Sequence, residues 1–450
     1  MENGHLENLA QDIVKQAMKS GVSGAEVTLQ EEEEFSTTVR LGKVESLKES
    51  AAKGLGLRLL WGTRSASSYT SDFSSQSLSR LVARTVAMAQ ITSEDPAGVM
   101  PEAELMATEV ADLGLYSPDV SEIGADQKIE LARRAEEAAL AVDPKITNSE
   151  GSSFDSTSGT RVLANSLGFL GSYRFSTCSV AAVPLAEQNG NKQRDFWYSV
   201  ARSLAKLDEP EKVGREAARR ALRRLGARKV KTAQVPIVFD PETARSLVGH
   251  LFEAARGDAI YRSASFLTGK LGKQLAPEYI NLLDDALRPG GFGSRPFDDE
   301  GVTSRVTPLV EKGKLSHYLL NCYSARKLGL KTTANARRGL SGPTVVGPNN
   351  LYLEPGTTAP EDIIRSVQRG FYVTELMGFG TNIVTGDYSR GAAGLWIEKG
   401  ELTHPVEEVT IAGNLNDMLL HIEEVGTDLE FRSSIASPTL LITGMTVAGA

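Results

Sequence analysis

Apolar residues at helical spacing open the chain. Leu6, Leu9, Ile13 and Ala17 recur at three- and four-residue intervals, which predicts a helix over 6–18 that stops at Gly21. His5 falls just ahead of it, in a terminus expected to be loose. The period then shortens. Strand-like runs are expected at Glu26–Gln30, Thr37–Leu41, Val44–Lys48, Gly54–Leu60 and Ser65–Thr70, with turn signals at Leu41-Gly42-Lys43 and Trp61-Gly62-Thr63. Helical patterns return at 76–91 and 126–142. A second alternating meander occupies roughly 160–183 (Arg161, Leu163, Phe169, Tyr173, Phe175), and a helix follows over Lys212–Leu225, ended by Gly226.

That last helix carries a basic cluster with its tail: Arg215, Arg219, Arg220, Arg223, Arg224, Arg228, Lys229 and Lys231. A nucleic-acid face would also want interleaved aromatics, which are absent. The cluster reads as the solvated side of a helix whose Val213, Ala217, Ala221 and Leu225 face a core. The polar, aperiodic stretch 227–234 marks the expected domain boundary. Beyond it, Gly and Pro punctuate the chain often. Val235–Phe239, Ser304–Val310 and Val406–Ala412 read as strands, Pro241–Ala255 and Pro360–Arg369 as helices, and Arg337–Asn350 as a long loop. The expectation is an α+β protein of two domains. An N-terminal α/β domain with antiparallel strands and helices spans 1–226, and a strand-rich C-terminal domain with a few helices spans 235–450.

Composition narrows the setting without naming a function. With 450 residues, two domains are the natural expectation. A formal charge of -8 argues against nonspecific nucleic-acid binding. The two cysteines, Cys178 and Cys322, give no disulfide framework and no CxxC metal cluster. The opening residues lack a signal-peptide pattern, and no apolar run nears the ~18 residues that span a bilayer. A cytoplasmic protein with no membrane partner is expected.

Candidate chemistry is sparse. In Val238–His250 a strand runs into Asp240, a natural N-cap, with Pro241 at the first helical position. A zinc peptidase needs several imidazole or carboxylate ligands and a carboxylate base. His250 has only Arg245, Ser246 and Leu247 one turn back, so a lone histidine in a packed setting is the expectation. His5, His317, His404 and His421 show no ligand spacing. Ser324-Ala325-Arg326-Lys327 is an SxxK, which places an amine near a hydroxyl on a helix, but the companion motifs of serine–lysine enzymes are missing. No P-loop, dinucleotide fingerprint, GxSxG or HExxH occurs. Phe297-Asp298-Asp299-Glu300-Gly301 and Thr385–Ala392 concentrate glycine, charge and hydroxyls. Such segments suit either tight turns or a ligand groove.

These strings carry a resemblance. Tyr261–Leu267, Phe297–Val302, Tyr323–Gly329, Val373–Gly378, Thr385–Ala392 and Thr410–Leu415 together resemble the TldD/PmbA family, and within it the TldE (PmbA) branch. They run in order through most of 235–450, and the first half fits the family's N-terminal domain more loosely. The resemblance implies that TldD-type subunits carry HExxxH on the helix entering the C-terminal domain, with a cysteine ligand near the chain end. On this sequence the first His falls on Arg245, the Glu on Ser246 and the second His on His250, and no cysteine follows Cys322. No catalytic or metal-binding residue is therefore carried over. The chain is expected to hold no cofactor and to be inactive alone. It would pair with a TldD-like metallopeptidase subunit that holds zinc, act on extended or unfolded peptides, and self-associate when alone. Asp387, Tyr388, Ser389 and Arg390 are the peptide-groove candidates. With loop 337–350 they are where an extended peptide would add by edge pairing. The alternatives are a stand-alone hydrolase using Ser324 and Lys327, or a binding protein associated with gyrase or nucleic acid.

Overall fold

The computed structural model describes residues 3–449. α1 (Asn3–Lys19) buries Leu6, Ala10, Ile13, Val14 and Ala17, and Gly21 ends it with a φ of 81°. His5 lies on its exposed side within the helix and not in a loose terminus. β1 (Gly24–Arg40), β2 (Lys43–Trp61) and β3 (Arg64–Thr70) follow as an antiparallel meander. Next come α2 (Ser75–Ile91), α3 (Asp119–Glu122), α4 (Ala125–Leu140), β4 (Ile146–Asn165), β5 (Leu170–Gln188), β6 (Asn191–Arg194), β7 (Trp197–Ala201) and α5 (Pro210–Leu222). The strands form one sheet in the order β3-β2-β1-β4-β5-β6, with β7 also on β5.

Four of the expected strands are two long ones. Glu31–Glu34 show no apolar alternation, yet each pairs with β2 on one side and β4 on the other, so the backbone is satisfied without a buried face. On β1 the odd positions meet helices: Val27 and Leu29 pack with α1 and α2, Phe35 and Val39 with α3 and α4. β3 covers only Leu55–Trp61 of β2, so Lys43–Gly54 pairs on one side alone among the described residues.

The second half contributes β8 (Ala233–Gln234), β9 (Ile237–Phe239), α6 (Pro241–Ala255), α7 (Gly257–Tyr261), β10 (Leu282–Asp285), β11 (Val306–Glu311), β12 (Lys314–Leu315) and α8 (Cys322–Leu328). Then follow β13 (Ala336–Arg337), β14 (Val345–Val346), β15 (Asn350–Leu353), α9 (Pro360–Ser366), β16 (Arg369–Met377), β17 (Asp387–Glu398), β18 (Glu401–Asn414), α10 (Leu415–Leu420), β19 (Ile422–Val425), β20 (Ile435–Ala436), β21 (Leu440–Ile442) and β22 (Thr446–Ala448). An eight-stranded sheet, β19-β21-β9-β16-β17-β18-β22-β8, and a five-stranded one, β12-β11-β10-β15-β20, share a core into which α6 sends Leu247, Val248, Leu251 and Phe252. The fold is α+β, as expected. No helix among the described residues is long and apolar enough to cross a membrane.

Three local expectations change. The helix expected to reach Arg369 stops at Ser366. Val367 turns extended and its carbonyl takes the Gly400 N–H, which aims Arg369 into β16. The loop 337–350 contains the small hairpin β13–β14. Its tip lies flat on β2, where a Cβ on Gly56 would meet the Leu340 carbonyl at 2.2 Å. The basic face of α5 is only partly solvated. Arg215 and Arg219 are exposed, but Arg220 is buried between Asp195 (3.4 Å) and Asp240 (3.7 Å), and Arg224 pairs with Glu375 (2.5 Å). The stretch 227–234 also runs along the second sheet, with Lys229 on Glu408 (3.0 Å).

A second charged seam joins the halves. Buried Glu26 on β1 accepts from Arg58 (2.7 Å) and from Arg338 (2.8 Å) of the hairpin loop, and Arg338 also donates to Thr28. Asp299 takes Arg161 and Arg295, each at 3.1 Å, and the Arg338 amide. Burial alone would raise these carboxyls. The arginines reverse that, hold Glu26 below its ordinary value and bring Asp299 down to about 2. Removing Arg338 leaves the buried Glu26 carboxylate with Arg58 as its remaining partner. Arg338→Met should therefore cost about 2 kcal/mol or more in urea unfolding. Arg215→Ala on the solvated side of α5 should stay within about 0.5 kcal/mol. Equal small effects would remove the seam from any structural role.

Candidate functional site

α6 begins where the sequence places it. The Asp240 carboxylate accepts from the Thr243 amide (2.9 Å) and hydroxyl (2.9 Å), and Pro241 occupies the first turn. Burial pushes the Asp240 carboxyl up to about 6, against the pull of Arg220 and the Thr243 bonds. One side of the helix is core: Ala244, Leu247, Val248, Leu251 and Phe252. The other is a half-exposed stripe of Glu242, Arg245, Ser246, Gly249 and His250.

The stripe is assembled from both halves of the chain. Arg245 pairs with Glu242 (3.0 Å) and donates to the hydroxyl of Tyr198 (3.1 Å), which follows directly from β7 residue Trp197. The chain near its end returns here: Arg432 pairs with Glu242 (3.3 Å) and lies over the Trp197 ring at 4.0 Å, and the Ser433 hydroxyl is 3.5 Å from Arg245. Ser246 donates back to the Thr243 carbonyl (2.7 Å). One and a half turns along, His250 Nε2 is 3.2 Å from the Thr381 hydroxyl and 3.4 Å from Arg390 Nη1, with Tyr388 edge-on at 6.0 Å. A guanidinium can only donate, so Nε2 accepts and the ring is neutral. Burial, then Arg390, pushes the imidazole down to about 4.

One imidazole flanked by two guanidiniums is not a donor set for zinc, which takes neutral imidazoles, thiolates and carboxylates. The segment near the chain end that reaches α6 brings a serine and an arginine, with no thiolate. His317 bonds the Pro308 carbonyl, His421 that of Asp417, and His404 neighbours Thr403. Among the described residues no three His, Cys, Asp or Glu gather so as to hold a metal.

Ser324 and Lys327 do not form a nucleophile–base pair. The Ser324 hydroxyl is buried in the N-cap of α8, donating to Asn321 Oδ1 (2.7 Å), while exposed Lys327 pairs with Asp95 (3.3 Å). Its amine is held above its ordinary value by the Asp95 hydrogen bond, the reverse of what a base needs. The Phe297–Gly301 string is a largely buried clamp, in which Asp298 accepts the amides of Glu300, Val302 and Ala336, and only Glu300 reaches a cavity, beside Arg58, Asn321 and Ser324. Of the groove candidates, Asp387 and Ser389 are exposed, Arg390 is half-buried and Tyr388 is buried. β18 pairs with 387–392 on one side, and on the other β16 covers β17 from Gly391 while 380–382 bond to Asp387–Ser389, so the stretch offers no free edge for a peptide strand. Tyr198, Thr381, Arg432 and Ser433 escaped the sequence reading. They sit 47, 131, 190 and 188 positions from the α6 residues they touch, and no local pattern marks them.

Three family profiles match the chain: the PmbA/TldA metallopeptidase domain 1 over 25–89, the central domain over 118–225 and the C-terminal domain over 232–449. Among known proteins it is similar to the metalloprotease PmbA of Escherichia coli O157:H7, 40% identical over 433 residues, or 96% of this chain and 94% of that one. A solved structure from Bacteroides thetaiotaomicron, described as a candidate modulator of DNA gyrase, superposes with a TM-score of 0.91 at 28% identity over 98% of both chains. TldE from Thermococcus kodakarensis gives 0.88 over 98% of this chain and 100% of that one. At 22% identity that is a likeness of fold.

The half-buried imidazole of His250 makes a pH prediction. Its folded value, about 4, lies below the unfolded one near 6.5. The unfolded chain thus binds more protons across that window, so stability is full above about 6.5 and drains as pH falls towards 4. His250→Gln should flatten this part of the urea-midpoint profile. Identical slopes in both proteins would show that the ring is not held neutral.

Proposed function

Because the chain belongs to the PmbA/TldD metallopeptidase family, we propose that it is the TldE-type subunit of a two-chain cytoplasmic zinc peptidase, handling unfolded peptides without a metal of its own. The observation that carries this reading is Arg245. By the resemblance Arg245 takes the first position of the family's HExxxH and Ser246 that of the carboxylate base; the Arg245 guanidinium is tied to Glu242 and Tyr198, and the Ser246 hydroxyl bonds back to the helix. A fixed cation repels a second one, and a hydroxyl cannot take a proton from bound water at neutral pH. In this reading zinc belongs to a TldD-like partner, and this chain supports the peptide or the partner.

The rival readings have less behind them. A stand-alone hydrolase would need Ser324 free of its cap and Lys327 free of Asp95. A nucleic-acid role would need the α5 arginines on the surface, whereas Arg220 and Arg224 are spent on Asp195, Asp240 and Glu375. Two free buried thiols, Cys178 and Cys322, suit a reducing compartment. Self-association in the partner's absence is part of the same proposal.

Co-purification with the TldD-like chain of the same organism tests it. Zinc is expected in the partner only, and cleavage of a denatured protein in the complex only. Ser324→Ala should leave that cleavage intact. Stoichiometric zinc in this chain purified alone would overturn the reading.

A further inference from the structure

Most inward arginines of this protein meet a carboxylate. Arg58 and Arg338 share Glu26, Arg161 and Arg295 share Asp299, and Arg220 lies between Asp195 and Asp240. Arg390 differs. It is half-buried on β17, and its bonds go to two neutral acceptors, the Met377 carbonyl (3.2 Å) and His250 Nε2 (3.4 Å). No carboxylate lies within 4.0 Å of it among the described residues. Partial burial without neutralisation is costly for a charge, and a guanidinium keeps its charge at any physiological pH.

A second observation points to the same place. Tyr388, two residues earlier on the same face of β17, is 1% exposed, and its hydroxyl is buried with no hydrogen-bond partner. Its ring stands edge-on to His250, and the Thr381 hydroxyl completes the surround. The cluster therefore offers one unneutralised planar cation and further hydroxyl donors, with no competing acid. Planar, fork-like N–H groups match carboxylate geometry, so the chemistry selects an anion of that shape.

We propose that Arg390, held in place by His250 and flanked by Thr381 and Tyr388, forms a subsite for a carboxylate of an extended peptide beside the polar stripe of α6. The inference rests on the peptide-handling reading above. A cation with directed donors can hold a peptide end in register without polarising an amide towards hydrolysis. The carboxylate comes from the peptide C-terminus or from an aspartate or glutamate side chain.

Unstructured ten-residue peptides carrying an uncharged BODIPY dye, added to the full chain and to its complex, separate the cases by anisotropy. One carries a free C-terminus and no acidic side chain, one is amidated with a central glutamate, and one is amidated with a glutamine there. At least one carboxylate peptide should bind roughly tenfold or more tightly than the neutral peptide. Whichever does so names the source. Arg390→Gln should erase that preference while leaving the weaker neutral binding in place, and Thr381→Ala should reduce it. Equal binding of all three peptides to the unmodified chain overturns the subsite and leaves the peptide-handling reading standing. Preference that survives Arg390→Gln in a protein of unchanged melting temperature also overturns it. Absence of binding to both chain and complex overturns both.

Discussion

The fold depends on charge buried where its two halves meet. Glu26 and Asp299 are buried, and each is tolerable only because arginines close on it. Such groups add little net stability, since desolvation consumes most of the Coulomb gain. Their effect is selective, because any other placement of the hairpin loop takes Arg338 from its acid and leaves Glu26 with Arg58 alone. Arg338 touches Asp299 through its backbone amide and Glu26 through its side chain, so one residue fixes both carboxylates.

The same device positions α6. Asp240 caps the helix and faces Arg220 from α5, so the first turn of α6 is referenced to the other half of the molecule. Glu242 continues the pattern with Tyr198, Arg245 and Arg432. The polar stripe therefore owes its geometry to segments more than 40 residues away on either side. It is also where positive charge accumulates, and a metal-binding arrangement could not be recovered there by restoring one ligand.

How much of this was legible follows from the range of the interactions. α6 was readable to the residue, because a cap, a proline and a 3.6-residue stripe are all local. The resemblance in the second half, now matched by the family profiles, came from contiguous strings. The long β1 and β2 were hidden because their middle portions are held by pairing on a sheet with no buried face there, and hydropathy reports only burial. The inward turn of Arg220 and Arg224 was hidden because their acids, Asp195, Asp240 and Glu375, lie far off in sequence. Cationic spacing alone looked like a solvated face. The site was half visible: His250 and Arg390 could be named, but that they meet could not.

The outer portion of β2 carries a different consequence. From Lys43 to Gly54 it pairs, among the described residues, with β1 on one side alone, which leaves a row of backbone groups open to another strand. Lys43, Glu45, Lys48, Glu49 and Lys53 stud that row, so an incoming apolar strand would have to bury charge, while water solvates the edge freely. Colloidal behaviour is thus written into a stretch with no visible role in the core. Salt, which screens those charges, would be the first solvent variable to loosen that protection.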